Sequence, residues 1–190
     1  MTMQLLETIR NYRPYNEQEE KDREEMIRRL ENKEELLTRD NRSAHFTASA
    51  WIVNKEKTKV LMAYHNIYDS WAWLGGHADG EEDLLKVALK EVKEESGLDA
   101  IPLSSDIFSL EILTVDGHVK NGEYVSSHLH LNVTYLLEGD EYAAIRNKDD
   151  ENKAVAWFDL DEALIKSSEP WFVEHIYRKL NDKLRKMKDN

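Results

Sequence analysis

Three carboxylates in one short segment, Glu91, Glu94 and Glu95, stand where the sequence predicts a helix that packs. The run from Gly75 to Leu98 has helical length, with Leu84, Leu85, Val87, Ala88, Leu89 and Val92 making a broad apolar stripe. At ~100° of rotation per residue, Glu91 and Glu95 fall inside that stripe and Glu94 on its shoulder. Lys86, Lys90, Lys93, Glu82 and Asp83 take the solvent side, so no lysine of the helix is expected on the acidic face. Burying unpaired carboxylates costs on the order of several kcal/mol each, and something positive must meet them. A hard divalent cation such as Mg²⁺ or Mn²⁺ prefers carboxylate oxygen and suits the task. The alternative is an acidic, solvated helix face.

The same residues resemble the Nudix box, which reads glycine, five residues, glutamate, seven residues, then Arg-Glu-U-x-Glu-Glu-x-Gly-U, with U a bulky aliphatic. Here Gly76 is followed after five residues by Glu82, and after seven more by Lys90, Glu91, Val92, Lys93, Glu94, Glu95, Ser96, Gly97 and Leu98. Lys90 alone departs from the pattern, standing where the family has arginine. The resemblance implies an α/β (α+β) fold, an α/β/α sandwich with a mixed sheet, over residues 44–166. A helical N-terminal extension (1–43) and a C-terminal helix (167–190) flank it.

The resemblance also implies a hydrolase that splits a phosphoanhydride bond in a nucleoside diphosphate linked to another group. Glu91, Glu94 and Glu95 would be metal ligands, joined by the Gly75 carbonyl, around two or three Mg²⁺ or Mn²⁺ ions. The water-activating base is a box glutamate, with Glu91 the first candidate, or a later loop glutamate, for which Glu151 in the acidic segment 149–151 stands. Gly76, Glu82, Lys90 and Gly97 would be structural. Lysine keeps arginine's charge but lacks its planar, two-pronged fork, so a looser hold on Glu82 and Glu91 is expected. A catalytically idle domain that senses a nucleotide or metabolite is the other reading of the same motif.

Weaker constellations lie outside the box. His128 and His130 alternate along a strand, with Asn132 and Thr134 continuing their face, while Leu129, Leu131, Val133 and Tyr135 point to the core. The two imidazoles suit a metal or a substrate phosphate, or simply form a polar face covered by solvent or a loop. No cysteine or third histidine is seen to complete a metal set. His77 follows the glycine pair and is expected near the phosphates, unless it is an ordinary loop residue. Trp71 and Trp73 share one face of their segment, where a ring stacks on a base or packs in the core. Substrate markers of Nudix subfamilies are missing: no proline near Thr114 as in ADP-ribose hydrolases, no tyrosine near Asp116 as in dinucleoside polyphosphate hydrolases. The Leu36-Leu37-Thr38-Arg39 run resembles the coenzyme A hydrolase motif but lies too far upstream. Isopentenyl diphosphate isomerases share the fold but use a cysteine.

The elements that must position these residues are readable in outline. Leu5, Leu6, Ile9 and Tyr12 have helical spacing before Pro14, and Asn16 can cap a second helix edged by Met26, Ile27, Leu30 and Leu37. From Ala44 the period becomes two: Phe46, Ala48, Ala50 and Ile52 alternate with Thr47, Ser49 and Trp51, and Val60 to His65 is the partner strand. Gly97 suits the left-handed residue that ends the box helix. Strands follow at residues 107–115 and 124–137 around an Asn121-Gly122 turn, then at 154–158, with short helices near 161–166 and from Pro170. The terminal helices cover the domain, pair two copies, or both.

With 190 residues, one core is expected. A net charge of −12 argues against nucleic acid as the main partner and leaves a small nucleotide-type diphosphate open. The absence of cysteine excludes disulfides and thiolate sites. No apolar run approaches a membrane span, and the first residues lack a signal-peptide pattern, so a cytoplasmic location is expected.

Overall fold

A computed structural model describes residues 3–120 and 122–188. Helix α1 (Met3–Asn11) buries Leu5 and Ile9. Helix α2 (Glu17–Glu31) begins where expected, with the Asn16 side chain accepting from the Glu19 amide at 2.9 Å. That bond satisfies one of the amides a helix start leaves unpaired. Met26 and Leu30 are buried, but the apolar edge stops there: Lys33 turns the chain at φ 57°, and Leu36 rather than Leu37 is the next residue buried.

The chain divides into two compact units, each assembled from three separate stretches. The first holds the residues up to Ser49, then Gly76–Val87 and Asp106–Tyr135. In it, β6 (Ser109–Val115) lies antiparallel to β9 (His128–Glu138), with Ser109 opposite Thr134 and Val115 opposite His128. Strand β1 (Ala44–Val53) starts beside β9, where the Leu129 amide donates to the Ser43 carbonyl at 2.9 Å. The strand expected over 124–137 is in fact two, because β7 (His118–Lys120) and β8 (Glu123–Val125) form their own hairpin. Gly122 adopts φ +82°, and Asn121 of the expected turn lies outside the described residues.

Every residue of β1 is buried, so its alternation does not separate core from solvent. Its polar side is satisfied internally instead. Thr47 and Ser49 hydroxyls each donate to Asn132 Oδ1 at 2.9 Å, and the Asn132 amide donates to Glu111 at 3.2 Å. The polar face of β9 is therefore not solvent-covered, since Asn132 and Thr134 are buried in a hydrogen-bonded network.

In the second unit, β2 (Lys59–His65) pairs with β10 (Asn152–Asp159), with β3 (Ser70–Ala72), and with the end of β1 through Val53 and Val60. The short strand β5 (Ile101–Pro102) pairs with the end of β9. Helix α4 (Leu160–Lys166) follows β10, and the helix expected from Pro170 is broken into α5 (Pro170–Phe172), a π-turn (Val173–Tyr177) and α6 (Arg178–Lys188). Both Ile176 and Tyr177 of that wide turn are fully buried, and the Tyr177 ring stacks on Trp51 at 5.4 Å. Trp71 packs edge-on against Tyr64 and Phe158, and Trp73 against Tyr177 and Phe172, so both rings have partners within the protein. Among the described residues, no helix is long and apolar enough to cross a membrane.

Candidate active site

The box helix is α3 (Leu84–Ser96), and its buried stripe carries acids. Leu84, Val87, Ala88 and Val92 are buried, and in register with them Glu91 and Glu95 are only 9% and 6% exposed. Glu94 lies outside the stripe and is exposed. Strand β4 (Leu74–His77) supplies the glycine pair, and the Gly75 amide donates to Glu95 Oε2 at 3.3 Å. Gly97 ends the helix at φ +73°, the left-handed geometry that glycine takes without steric cost.

A third acid joins from far along the chain. Carboxylate oxygens of Glu91, Glu95 and Glu151 lie within 4.8 Å of one another. Glu151 is held by a turn in which its amide donates to the Lys148 carbonyl at 2.8 Å. The loop is fastened to the end of α3 through the Arg146 amide, which donates to the Ser96 carbonyl at 2.9 Å, and through buried Asn152.

Gathering these groups shifts their proton affinities. Burial, reinforced by Glu91 and Glu151, pushes the Glu95 carboxyl up to about 8. Burial also raises Glu91, against the opposing pull of the Lys90 ammonium. The expectation that no lysine of the helix reaches this face is corrected here. Lys90 Nζ lies 3.2 Å from Glu91 Oε1 and 3.5 Å from Glu94 Oε1, because a long apolar stem lets an exposed residue bring its charge around the helix. Lys148, which sequence reasoning missed, sits 2.7 Å from Glu151 and 3.8 Å from Glu94. Only its spacing of three from Glu151 hinted at the pair. In the first unit, Glu82 Oε1 is buried with no hydrogen-bond partner among the described residues.

The first unit also gathers histidines. His128 and His130 share one face of β9, as expected, but the absence of a third histidine is overturned. His45 of β1 lies with its ring centroid 5.0 Å from each of them. His77 is 4.9 Å from His130 and 5.2 Å from His45, and His118 is 6.3 Å from His128. Burial and the surrounding imidazoles push His130 down to about 2, and burial lowers His45. The signal available in the sequence was the matched polar alternation of His45, Thr47 and Ser49 with His128, His130 and Asn132, which adjacent strands bring together.

Comparison with known proteins bears on the fold and the family. No curated protein matches the chain. Among solved structures, a NUDIX-family hydrolase from Clostridium perfringens is 23% identical with a TM-score of 0.50, covering 75% of this chain and 97% of that one. A NUDIX hydrolase from Nitrosomonas europaea gives 19% and 0.55, covering 75% and 89%. An ADP-ribose pyrophosphatase from Streptococcus suis gives 21% and 0.51, covering 75% and 91%. These likenesses carry the fold, which is the expected Nudix α/β/α sandwich. The NUDIX domain model matches residues 43–180, most of the chain and all of its box, so the protein belongs to the Nudix hydrolase family.

Proposed function

We propose that this Nudix pyrophosphohydrolase cleaves a phosphoanhydride bond in a nucleoside diphosphate linked to a second moiety, and that it does so with Mg²⁺ or Mn²⁺. The observation that carries the reading is the convergence of Glu91, Glu95 and Glu151. The donor set fits a hard divalent ion: three carboxylates, two of them buried, with one carboxyl raised to about 8 by burial and by the other two acids. Glu91 and Glu95 would hold the ion, with Glu94 at the exposed rim and the Gly75 carbonyl completing the set that the Nudix pattern implies, and Glu151 would stand beside it. Such an ion supplies charge neutralisation on the phosphates and a more acidic water.

Of the trio, Glu151 is the least buried and comes from a loop rather than from the helix. We assign it the general-base role, with Glu91 the second candidate. A Glu151 carboxylate oxygen takes the proton as the water oxygen attacks phosphorus in line, and the bridging P–O bond breaks to release the second phosphate. Lys90 and Lys148 hold the acidic side chains by their ion pairs and fix where the oxygens point. The net charge of −12 favours a substrate that arrives with cations over a nucleic-acid partner.

The test is phosphate release from a panel of nucleotides, dinucleotides and nucleotide sugars with Mg²⁺ and Mn²⁺, wild type against Glu95→Gln. Metal-dependent turnover of at least one compound, largely lost in the variant, is expected. Wild-type silence across the panel favours the sensor reading, and turnover indifferent to Glu95→Gln shows the metal site to be elsewhere.

A further inference from the structure

We infer that His45, His128 and His130 form a second metal site, suited to a borderline transition ion such as Zn²⁺ and not to Mg²⁺. One nitrogen from each ring lies within 4.8 Å of the other two, and His128 Nε2 and His130 Nε2 are 3.2 Å apart. Ligand atoms of a tetrahedral zinc with Zn–N bonds of ~2.0–2.1 Å stand about 3.3 Å apart. A small inward movement of the third ring completes the set.

The tautomers point the same way. His45 Nδ1 lies 3.1 Å from the Asn41 carbonyl, and His128 Nδ1 lies 2.9 Å from the Ser126 carbonyl. A carbonyl only accepts, so in each ring Nδ1 carries the proton and Nε2 presents a lone pair. Imidazoles fixed from behind by a backbone carbonyl are the usual outer shell of a metal-bound histidine. His45 is 4% exposed, and its Nε2 is buried without a hydrogen-bond partner among the described residues. An orphaned, buried lone pair is costly unless something occupies it. His128 Nε2 meets its counterpart on His130, and a cation between them satisfies both.

Rigid elements hold the three rings. His128 and His130 lie on β9 and His45 on the neighbouring β1, while the Asn41 side chain fixes its own turn by accepting from the Ser43 and Ala44 amides. His77, with its ring beside His130 and His45, borders the fourth position. The donors are neutral imidazoles with no carboxylate among them, which selects zinc, copper, nickel or cobalt over a hard ion. The inference is independent of the glutamate cluster, because the two sites share no side chain.

The test uses tag-free, full-length protein stripped with a chelator, then titrated with Zn²⁺ against a chromophoric competitor and with Co²⁺ by visible absorption. One equivalent of Zn²⁺ is expected, together with the Co²⁺ bands of imidazole ligation. His45→Gln and His128→Gln should each weaken binding by about tenfold or more, whereas Glu95→Gln and a large excess of Mg²⁺ should leave it unchanged. Binding indifferent to both histidine variants, or lost equally in Glu95→Gln, overturns the site. Side-chain ¹⁵N spectra of the wild type test it with no substitution: Zn²⁺ should shift the Nε2 resonances of three histidines, and unmoved resonances refute the proposal.

Discussion

The Asn152 side-chain amide donates to the main-chain carbonyl of Glu95 at 3.1 Å, and Asn152 directly follows Glu151. The bond joins the start of β10 to the end of the box helix, and so sets where Glu151 stands relative to Glu95. Asn152 does more, since its Oδ1 accepts from the Lys148 amide at 3.1 Å and closes the turn that holds Glu151. Asn152→Ala removes both tethers and leaves buried backbone groups short of a partner, at about 1–3 kcal/mol. The variant should fold with a lower melting temperature and, on the base role proposed for Glu151, lose about tenfold or more in kcat as that carboxylate drifts from its place. An unchanged kcat beside a lowered melting temperature would remove Asn152 from the positioning role.

For the metal site proposed at Glu91 and Glu95, the raised proton affinity of Glu95 predicts binding that depends on pH. Its carboxyl titrates at about 8, above the ordinary value of 4.5, so near neutral pH the metal-free site holds a proton that an incoming cation must displace. Mg²⁺ affinity should therefore tighten by up to about tenfold per pH unit below pH ~8 and level off above it. For the metal-free fold the sign runs the other way. The folded state binds this proton more tightly than the unfolded chain, so stability is greatest below pH ~4.5 and declines as pH rises through about 8. Calorimetric titrations with Mg²⁺ between about pH 6 and about pH 9 read the first effect, and Glu95→Gln should flatten the profile.

How much of this was legible in the sequence follows from how local each feature is. The acids of α3 could be placed because helical rotation is a local rule, and Glu91 and Glu95 do lie in the buried stripe with Leu84 and Val92. The Asn16 cap and the left-handed Gly97 were readable for the same reason. Glu151 was visible only as part of an acidic stretch, since nothing periodic connects a loop to a helix more than fifty residues upstream. Of the residues that fix that loop, Lys148 shows only its spacing of three from Glu151, and Asn152 carries no signal. His45 escaped because strands neighbouring in a sheet are distant in sequence. The buried polar face of β9 was misread because the partners of Asn132, Thr47 and Ser49, lie on that other strand. The π-turn before α6 leaves no mark in a pattern of apolar spacing.

Gly97 gives a prediction about stability alone. At φ +73° a non-glycine residue costs about 1–2 kcal/mol, and a Cβ there would come within 3.0–3.3 Å of the Arg146 side chain. That side chain can swing aside, so the backbone term should dominate. Gly97→Ala should lower the melting temperature by about 2–8 °C, and Gly97→Asn by less, because asparagine tolerates the left-handed region. Equal melting temperatures for glycine and alanine at this position would show the turn to be relaxed by other means.

Glu19 is fully buried in α2, where it accepts from Tyr12 and Tyr15 and meets Ser109 in the first unit. Its Oε2 takes the Tyr12 hydroxyl at 2.6 Å and the Tyr15 amide at 2.7 Å, and its Oε1 lies 2.8 Å from the Ser109 hydroxyl of β6, whose single proton is shared with the nearer Glu111 carboxylate. One side chain thus ties the segment between α1 and α2 to the sheet. Glu19→Ala leaves those donors facing a cavity and should cost about 3 kcal/mol or more in denaturant unfolding. Glu19→Gln keeps one acceptor oxygen and the volume, so its loss should fall between alanine and wild type. Limited proteolysis separates local from global loosening, with earlier cleavage between α1 and α2 expected in Glu19→Ala. A Glu19→Ala protein as stable as the wild type and no more readily cut would mean that the apolar contacts of Leu5, Ile9, Met26 and Leu30 alone hold these helices.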